Sequence, residues 1–426
     1  MKLSLALLVT CIAFVFSATF TLAQEDSPPN QPTKLTDLLS EAERNNPEIQ
    51  AARSAWQAAT KVPAQVSTLP NPVVSVQQFS VGSPRPFAGY TNSDFAYFGL
   101  GFSQDLPYPG KLRLRGKAAE TEAASMNEAW LMASRNVAAQ VKAAYFDLAY
   151  EQQDLAILER DGSLLEQMEK IAEARYRTGQ VSEQDVLKAQ LEQTNLIRQT
   201  ALEQQKVGQL EADLKALLNR PPSSPDIFTT KLTETPMALS FDELASQIHS
   251  GDPAVRAESD QIKKQATKVQ LAHKDFYPDF NVQYMWQRTD PTQYRAYYML
   301  TLSASIPIYR HRRQDAELAE AKEKQAQSQH AYDAQVQQAY SRLRNDYVDA
   351  TTAERLLGIY KQGLIPQSAA TFQAGLAAYQ TGREDFQTLL SSFLDELQLE
   401  GEYWRSLADH EIALARIEEL TGVALN

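Results

Sequence analysis

Four segments of this 426-residue chain occur twice, in the same order and about 200 residues apart. NNPEIQAARSAWQAA, from Asn45, recurs as GDPAVRAESDQIKKQA from Gly251, and PNPVVSV around Pro72 recurs as YPDFNVQ around Pro278. GFSQDLPYPGK, with Pro107, is matched by TLSASIPIYRH with Pro307, and ARYRTGQ, with Gly179, by AAYQTGR with Gly382. Ordered self-similarity at near-constant spacing marks a duplicated structural unit. Whatever one half folds into, the other must fold into as well. The halves are 24–218 and 241–426. Between them, NRPPSSPDIFTTKLTETPMALS (219–240) carries the prolines and small polar residues that end one unit and begin the next, and its length predicts that it packs against helices rather than forming a domain.

Each half reads as a short helix, two strands and two long helices. No proline occurs between Gly110 and Arg220, nor between Ile308 and Ile365. That permits long helices, because an interior proline removes a hydrogen bond and clashes with the preceding turn. The expected helices are about 112–177 and 182–218, then about 311–378 and 384–421. The first would span about 100 Å at roughly 1.5 Å per residue. Val137, Val141, Ala144, Leu148, Leu155, Leu158 and Leu165 fall on a heptad seam, as do Val336, Tyr340, Leu343, Tyr347, Ala350, Leu357 and Leu364. The fold class is therefore mainly α with a small β part.

The strands are expected at about 73–81, 95–105, 279–288 and 297–306. Phe280, Val282, Tyr284 and Trp286 alternate with Asn281, Gln283, Met285 and Gln287. Phe98, Leu100 and Phe102 alternate with Gly99, Gly101 and Ser103, and Tyr298, Leu300, Leu302, Ala304 and Ile306 with Met299, Thr301, Ser303 and Ser305. Val74 and Val76 follow the pattern less cleanly. Alternation is the signature of a strand with two unlike faces. The length and the apolar-out, polar-in pattern match a transmembrane barrel strand, with Tyr90, Tyr97, Tyr277, Tyr294, Tyr297 and Tyr309 available as an interfacial girdle. A small sheet packed on helices has the same spacing. Four strands cannot close a membrane barrel, since single-chain barrels begin at about eight. Three chains would give about twelve strands and no free edge.

The N-terminus, MKLSLALLVTCIAFVFSATFTLA, has one lysine, an apolar run and a small-residue ending, and reads as a secretory signal over 1–23. Cys11, the one cysteine, lies inside that run in a poor context for lipid attachment. The mature chain then has no disulfide and no thiolate metal site. Its five histidines are scattered and read as surface residues. The net charge, −12 overall, argues against nucleic-acid binding. No phosphate loop, nucleophile elbow or metal motif is present, so no enzyme activity, cofactor or metal is expected. Long helices in an exported chain favour an elongated bundle completed by neighbours over a soluble bundle closed within one chain. Lys111, Arg113, Arg115, Lys117, His311, Arg312 and Arg313 follow the second strand of each half. Cations at a helix start oppose its dipole, which suggests lipid phosphates beside them.

Over nearly the whole mature chain the sequence resembles the TolC-like outer-membrane efflux proteins. The resemblance rests on NNPEIQAA, LPNPVVSV, YPDFNVQ, QDLPYPGKLR, ARYRTGQVSEQDVLKAQLEQ and AAYQTGREDFQTLLSSFLDEL, all in order. It implies a homotrimer with a twelve-stranded barrel in outer-membrane lipid and a long α-helical barrel crossing the periplasm. It also implies a periplasmic adaptor and an inner-membrane transporter, of the RND type, as partners. The QDLPYPGK wording is most similar to the heavy-metal branch. By the same resemblance, Arg175, Gly179, Ser182, Asp185, Gly382 and Arg383 form the periplasmic tip that meets the adaptor. Where family members carry gating aspartates, this chain has Thr388 and Ser391, leaving Glu384 and Asp385 as the entrance carboxylates. The lipid-facing set is Phe98, Leu100, Phe102, Phe280, Val282, Tyr284, Trp286, Leu300 and Leu302. The function implied is the exit duct of a tripartite efflux system. The alternatives are the outer-membrane part of a type I secretion system and a periplasmic coiled-coil scaffold.

Overall fold

The computed structural model describes residues 32–79, 96–288 and 296–425. The expected signal with Cys11, and Tyr90 and Tyr294, lie outside the described residues. The first half runs α1 (Leu35–Asn45), α2 (Pro47–Ala59), α3 (Val62–Ser67), β1 (Val73–Phe79), β2 (Tyr97–Leu106), α4 (Lys111–Arg177) and α5 (Glu183–Leu217). The second runs α6 (Phe241–Gly251), α7 (Pro253–Lys274), β3 (Asp279–Arg288), β4 (Tyr297–Ser305), α8 (Gln314–Ile359), α9 (Ile365–Gln380) and α10 (Phe386–Thr421).

Three departures from the expected elements have local causes. The short helix opening each half is broken at the duplicated proline. Asn46 and Asp252 stand before Pro47 and Pro253 in extended conformation, as a residue before proline prefers. Each then caps the next helix: Asn46 accepts from Glu48 N at 2.9 Å and Asp252 from Ala254 N at 2.8 Å. The helix expected over 311–378 begins only at Gln314 and is interrupted by a π-helical turn, Tyr360–Leu364. Pro366, in the first turn of α9, has no N–H to donate backwards, and a widened turn accommodates the mismatch. The last helix starts at Phe386 rather than near 384, because Asp385 is spent as its cap.

The four strands form one antiparallel sheet in the order β1-β2-β3-β4. The helical part is held by three buried clusters among the described residues. One gathers Val137, Val141, Leu148, Ile157, Leu357 and Leu407 with Leu38 and Ile49. A second joins Leu244 and Val255 to Val336, Leu343, Ala350 and Leu414. The third sits at the α4–α5 and α9–α10 turns and includes Leu165, Met168, Phe372, Tyr379, Phe386 and Phe393. The heptad seam thus supplies core, as its spacing requires.

The inter-repeat segment lies along the helices. Thr33 pairs with Thr229 in a parallel bridge, and Ile227 and Leu232 are buried. Gln152 Nε2 donates to Ile227 O at 2.7 Å, and Thr235 N donates to Glu411 Oε1 at 2.8 Å. His410 is fully buried rather than on the surface, its Nε2 2.7 Å from Thr235 O and its Nδ1 3.0 Å from Ala350 O. It ties this segment to α8 and α10.

Candidate functional site

Strand register decides which side chains share a face, and here it gathers the expected apolar residues on one face while the other mixes polar residues with Val73, Phe79, Met285 and Met299. Residues directly opposite in an antiparallel pair point to the same side. One face carries the rows Val76–Leu100–Trp286–Tyr298 and Val74–Phe102–Tyr284–Leu300. Val282–Leu302 and Phe280–Ala304 extend it, and Phe98 lies at its far end opposite Arg288. All nine expected apolar residues are on this side, together with Gln104 and Gln78. The other face carries Ser103–Gln283–Thr301 and Asp105–Asn281–Ser303, and Asn281 Nδ2 donates to Ser103 Oγ at 2.9 Å and Asp105 Oδ1 at 2.8 Å.

The polar face is the crowded one. Met285 is only 2% exposed, and a Cβ added at Gly101 would lie 2.5 Å from Ser75 Oγ and at Gly99 3.2 Å from Gln287 Cγ. Glycine is used where neighbouring strands leave no room for a side chain. On the central strands the apolar face, by contrast, is open, with Leu100 and Phe102 each 45% exposed and Tyr284 43%, while the edge strands β1 and β4 are exposed on both faces. Both outer edges of the sheet, on β1 and on β4, lack a strand partner among the described residues.

At the other end of the long helices the two halves make the same turn. Gly179 (φ 69°) and Gly382 (φ 77°) adopt the left-handed conformation that favours glycine. Gln180 N donates to Arg175 O and Gly179 N to Tyr176 O, each at 2.9 Å. Arg383 N donates to Ala378 O at 2.9 Å and Gly382 N to Tyr379 O at 3.0 Å. These paired bonds are Schellman caps, which satisfy the last helical carbonyls. In the first turn Ser182 Oγ lies 3.4 Å from Asp185 Oδ1. In the second Asp385 Oδ1 accepts from Thr388 N at 2.8 Å, and that bond holds the Asp385 carboxyl below its usual range.

The structure brings the two turns together through the expected Arg175 and through Tyr379, Lys188 and Gln387, which the spacing did not reveal. Arg175 donates to the carbonyl of Tyr379, and its guanidinium lies 4.6 Å from the centre of that ring. Tyr379 is fully buried; burial raises the pKa of its hydroxyl, which has no hydrogen-bond partner among the described residues. Lys188 Nζ donates to Gln387 Oε1 at 2.7 Å, linking α5 to α10. Arg383, Thr388 and Ser391 are exposed, and Glu384 is half-buried.

A family model described as outer membrane efflux protein matches residues 38–220 and 244–422, one match for each half. The chain belongs to the outer membrane efflux protein family. Its function is accordingly that of an efflux exit duct, not an enzyme. Among solved structures it is similar to the outer-membrane channel OprN, with 17% identity, 92% of this chain and 90% of that one covered, and a TM-score of 0.79. CusC gives 18%, 92% and 92%, and 0.77. The outer membrane protein VceC of Vibrio cholerae gives 16%, 92% and 97%, and 0.77. No curated protein matches by sequence.

In this efflux duct no described helix is long and apolar enough to cross a membrane. The basic residues after the strands divide in two. Arg113, Arg115, Lys117, His311, Arg312 and Arg313 are exposed. Lys111, 3% exposed, is not available to a lipid phosphate: its Nζ lies 3.0 Å from both Asp275 and Asp279. Asp279 also accepts from Tyr108 N at 2.7 Å, so this cluster buckles the end of β2 to the start of β3. Tyr277 stacks on Tyr108 with ring centres 4.5 Å apart, and Lys274 covers both.

Proposed function

We propose that three copies of this chain join β4 of one to β1 of the next and form a twelve-stranded barrel in the outer membrane. The single observation that carries this is the sheet itself: two edges without a strand partner among the described residues, one apolar face that is open, and a second, more polar face that is crowded on the central strands. An edge without a partner is a hazard that closure removes, and an apolar face needs lipid for solvent. Phe98, Leu100, Phe102, Phe280, Val282, Tyr284, Trp286, Leu300 and Leu302 meet lipid in this arrangement, and Asn281, Gln283 and Gln287 line water. The same rotation gathers the long helices into a periplasmic tube, and Leu187, Leu191 and Ile197 on α5, and Val348, Leu356 and Ile359 on α8, all exposed in the single chain, support burial against neighbouring copies.

The glycine turns are the end that a periplasmic adaptor and an inner-membrane transporter of the RND type engage. Arg175, Gly179, Ser182, Asp185, Gly382 and Arg383 form the contact, and Glu384, Asp385, Thr388 and Ser391 surround the entrance. Opening is a shift between closed and open packings of the tip helices, and the chain supplies no chemical energy. The test is fractionation and native mass spectrometry of the detergent-extracted protein. A trimer from the outer membrane is expected; a soluble monomeric periplasmic protein overturns the assignment. Susceptibility of a deletion strain to metals and to drugs identifies the cargo.

A further inference from the structure

Midway along the helical wall, three carboxylates converge without enough positive charge to answer them. Glu151 and Asp154 lie three residues apart on α4, one face of one helix, and Glu203 approaches from α5. A carboxylate oxygen of each lies within 4.8 Å of the other two. The three residues are only 7%, 8% and 7% exposed. Among the described residues one ammonium serves them: Lys206 Nζ is 2.6 Å from Glu203 Oε2 and 3.6 Å from Glu151 Oε1. Glu151 Oε2 is buried with no hydrogen-bond partner among the described residues. Among the described residues Asp154 is touched by charges but by no side-chain hydrogen bond, and it faces a cavity of about 530 Å³ that Glu203 and Gly401 also line. A Cβ at Gly401 would lie 3.4 Å from Asp154 Oδ1, so a larger side chain there would occupy the space in front of the carboxylate.

Buried anions with too few cations to answer them are costly. The donor set is carboxylate oxygen alone, with no sulfur or imidazole, and such a set suits hard divalent ions such as Mg²⁺, Ca²⁺ and Mn²⁺. We propose that Glu151, Asp154 and Glu203 form a binding site for a hard divalent cation that cross-links α4 to α5, with Lys206 as the displaceable occupant of the empty site. Lys206 is half-exposed at its side chain, so it can leave for solvent on its flexible stem while the cavity admits water to complete the coordination. Three carboxylates then balance the metal with one negative charge left over, where they now crowd a single ammonium.

The experiment uses the full chain in detergent and Mn²⁺ alone as the probe, read by electron paramagnetic resonance of free Mn²⁺ and by calorimetry. One Mn²⁺ per chain is expected. Asp154→Asn should weaken binding at least tenfold, and Lys206→Met should tighten it severalfold because the competitor is gone. Glu320→Gln, an exposed acid on α8, should leave it unchanged. Ca²⁺ should raise the melting temperature of the wild type and not of Asp154→Asn. Neither asparagine nor methionine here removes a packing side chain of the core clusters, and far-ultraviolet circular dichroism checks that each variant is folded. Absence of Mn²⁺ binding at 1 mM by both the wild type and Lys206→Met overturns the proposal. So does wild-type affinity in Asp154→Asn.

Discussion

The two glycine turns provide a controlled comparison, because they share a backbone and differ in their surroundings. Valine at position 179 or 382 forces a β-branched residue into the left-handed conformation, at about 1–2 kcal/mol. Around Gly179 nothing lies within 4 Å of an added Cβ, whereas at Gly382 that atom would stand 3.2 Å from Arg175 Nη2. The γ-carbons of valine then displace the guanidinium from Tyr379. Displacement costs a charge-assisted hydrogen bond, about 1.5–3 kcal/mol, and a cation–π contact of about 0.5–2 kcal/mol, since the Tyr379 ring is buried and Arg175 only partly so. Since the side chain recovers part of this in water, Gly382→Val should exceed Gly179→Val by about 1–3 kcal/mol. Hydrogen exchange by mass spectrometry over 175–185 and 378–389 reads the local opening free energy at each turn. The decisive arm is an Arg175→Ala background, in which the two valines should cost the same. If Gly382→Val costs as much without Arg175 as with it, the reasoning from this contact is wrong.

Three further outcomes are expected. Gly101→Val should prevent the chain from accumulating as a membrane-embedded trimer, because its Cβ meets Ser75 Oγ at 2.5 Å; the milder Gly101→Ala should be rescued by Ser75→Gly, as read by outer-membrane fractionation. Lys111→Met strands Asp275 and Asp279, and it should cost about 1–3 kcal/mol in denaturant unfolding, below the usual figure for a buried pair because both acids are partly exposed. Burial foremost, with Asp349 and Glu419 nearby and against the pull of Arg416 and Arg342, raises Asp346 from 3.8 to about 6. The folded state then holds its proton more tightly than the unfolded one, so this stability is present below about pH 4 and is lost as pH rises through 6. Asp346→Asn should remove that loss, gaining on the order of 1–2 kcal/mol at pH 7 and little at pH 4. A wild-type-to-mutant difference that does not change with pH counts against it.

Much of the architecture was legible from residues because its causes are local. The alternation over 280–287, the proline-free stretches and the repeated glycines each act within a few residues, and each translated into an element. Breaks near the ends of elements were less legible. The π turn at Tyr360–Leu364 and the split before Pro47 and Pro253 come from single prolines whose effect depends on what the neighbouring carbonyls can reach.

Which residues meet across the fold lay beyond any spacing rule. Arg175 and Tyr379, Lys111 and Asp279, and Glu203 with the α4 acids are partners separated by large parts of the chain. Lys111 sits in a run of cations that reads as a lipid-facing patch, and only the packing of the strand ends shows it buried between two aspartates. By itself the sequence determined the duplication, the long helices and the two-faced strands, because periodicity and glycine conformation are properties of neighbouring residues. Tertiary structure alone decided which polar groups are buried and who answers their charge, because burial and pairing depend on segments that meet only when the chain has folded.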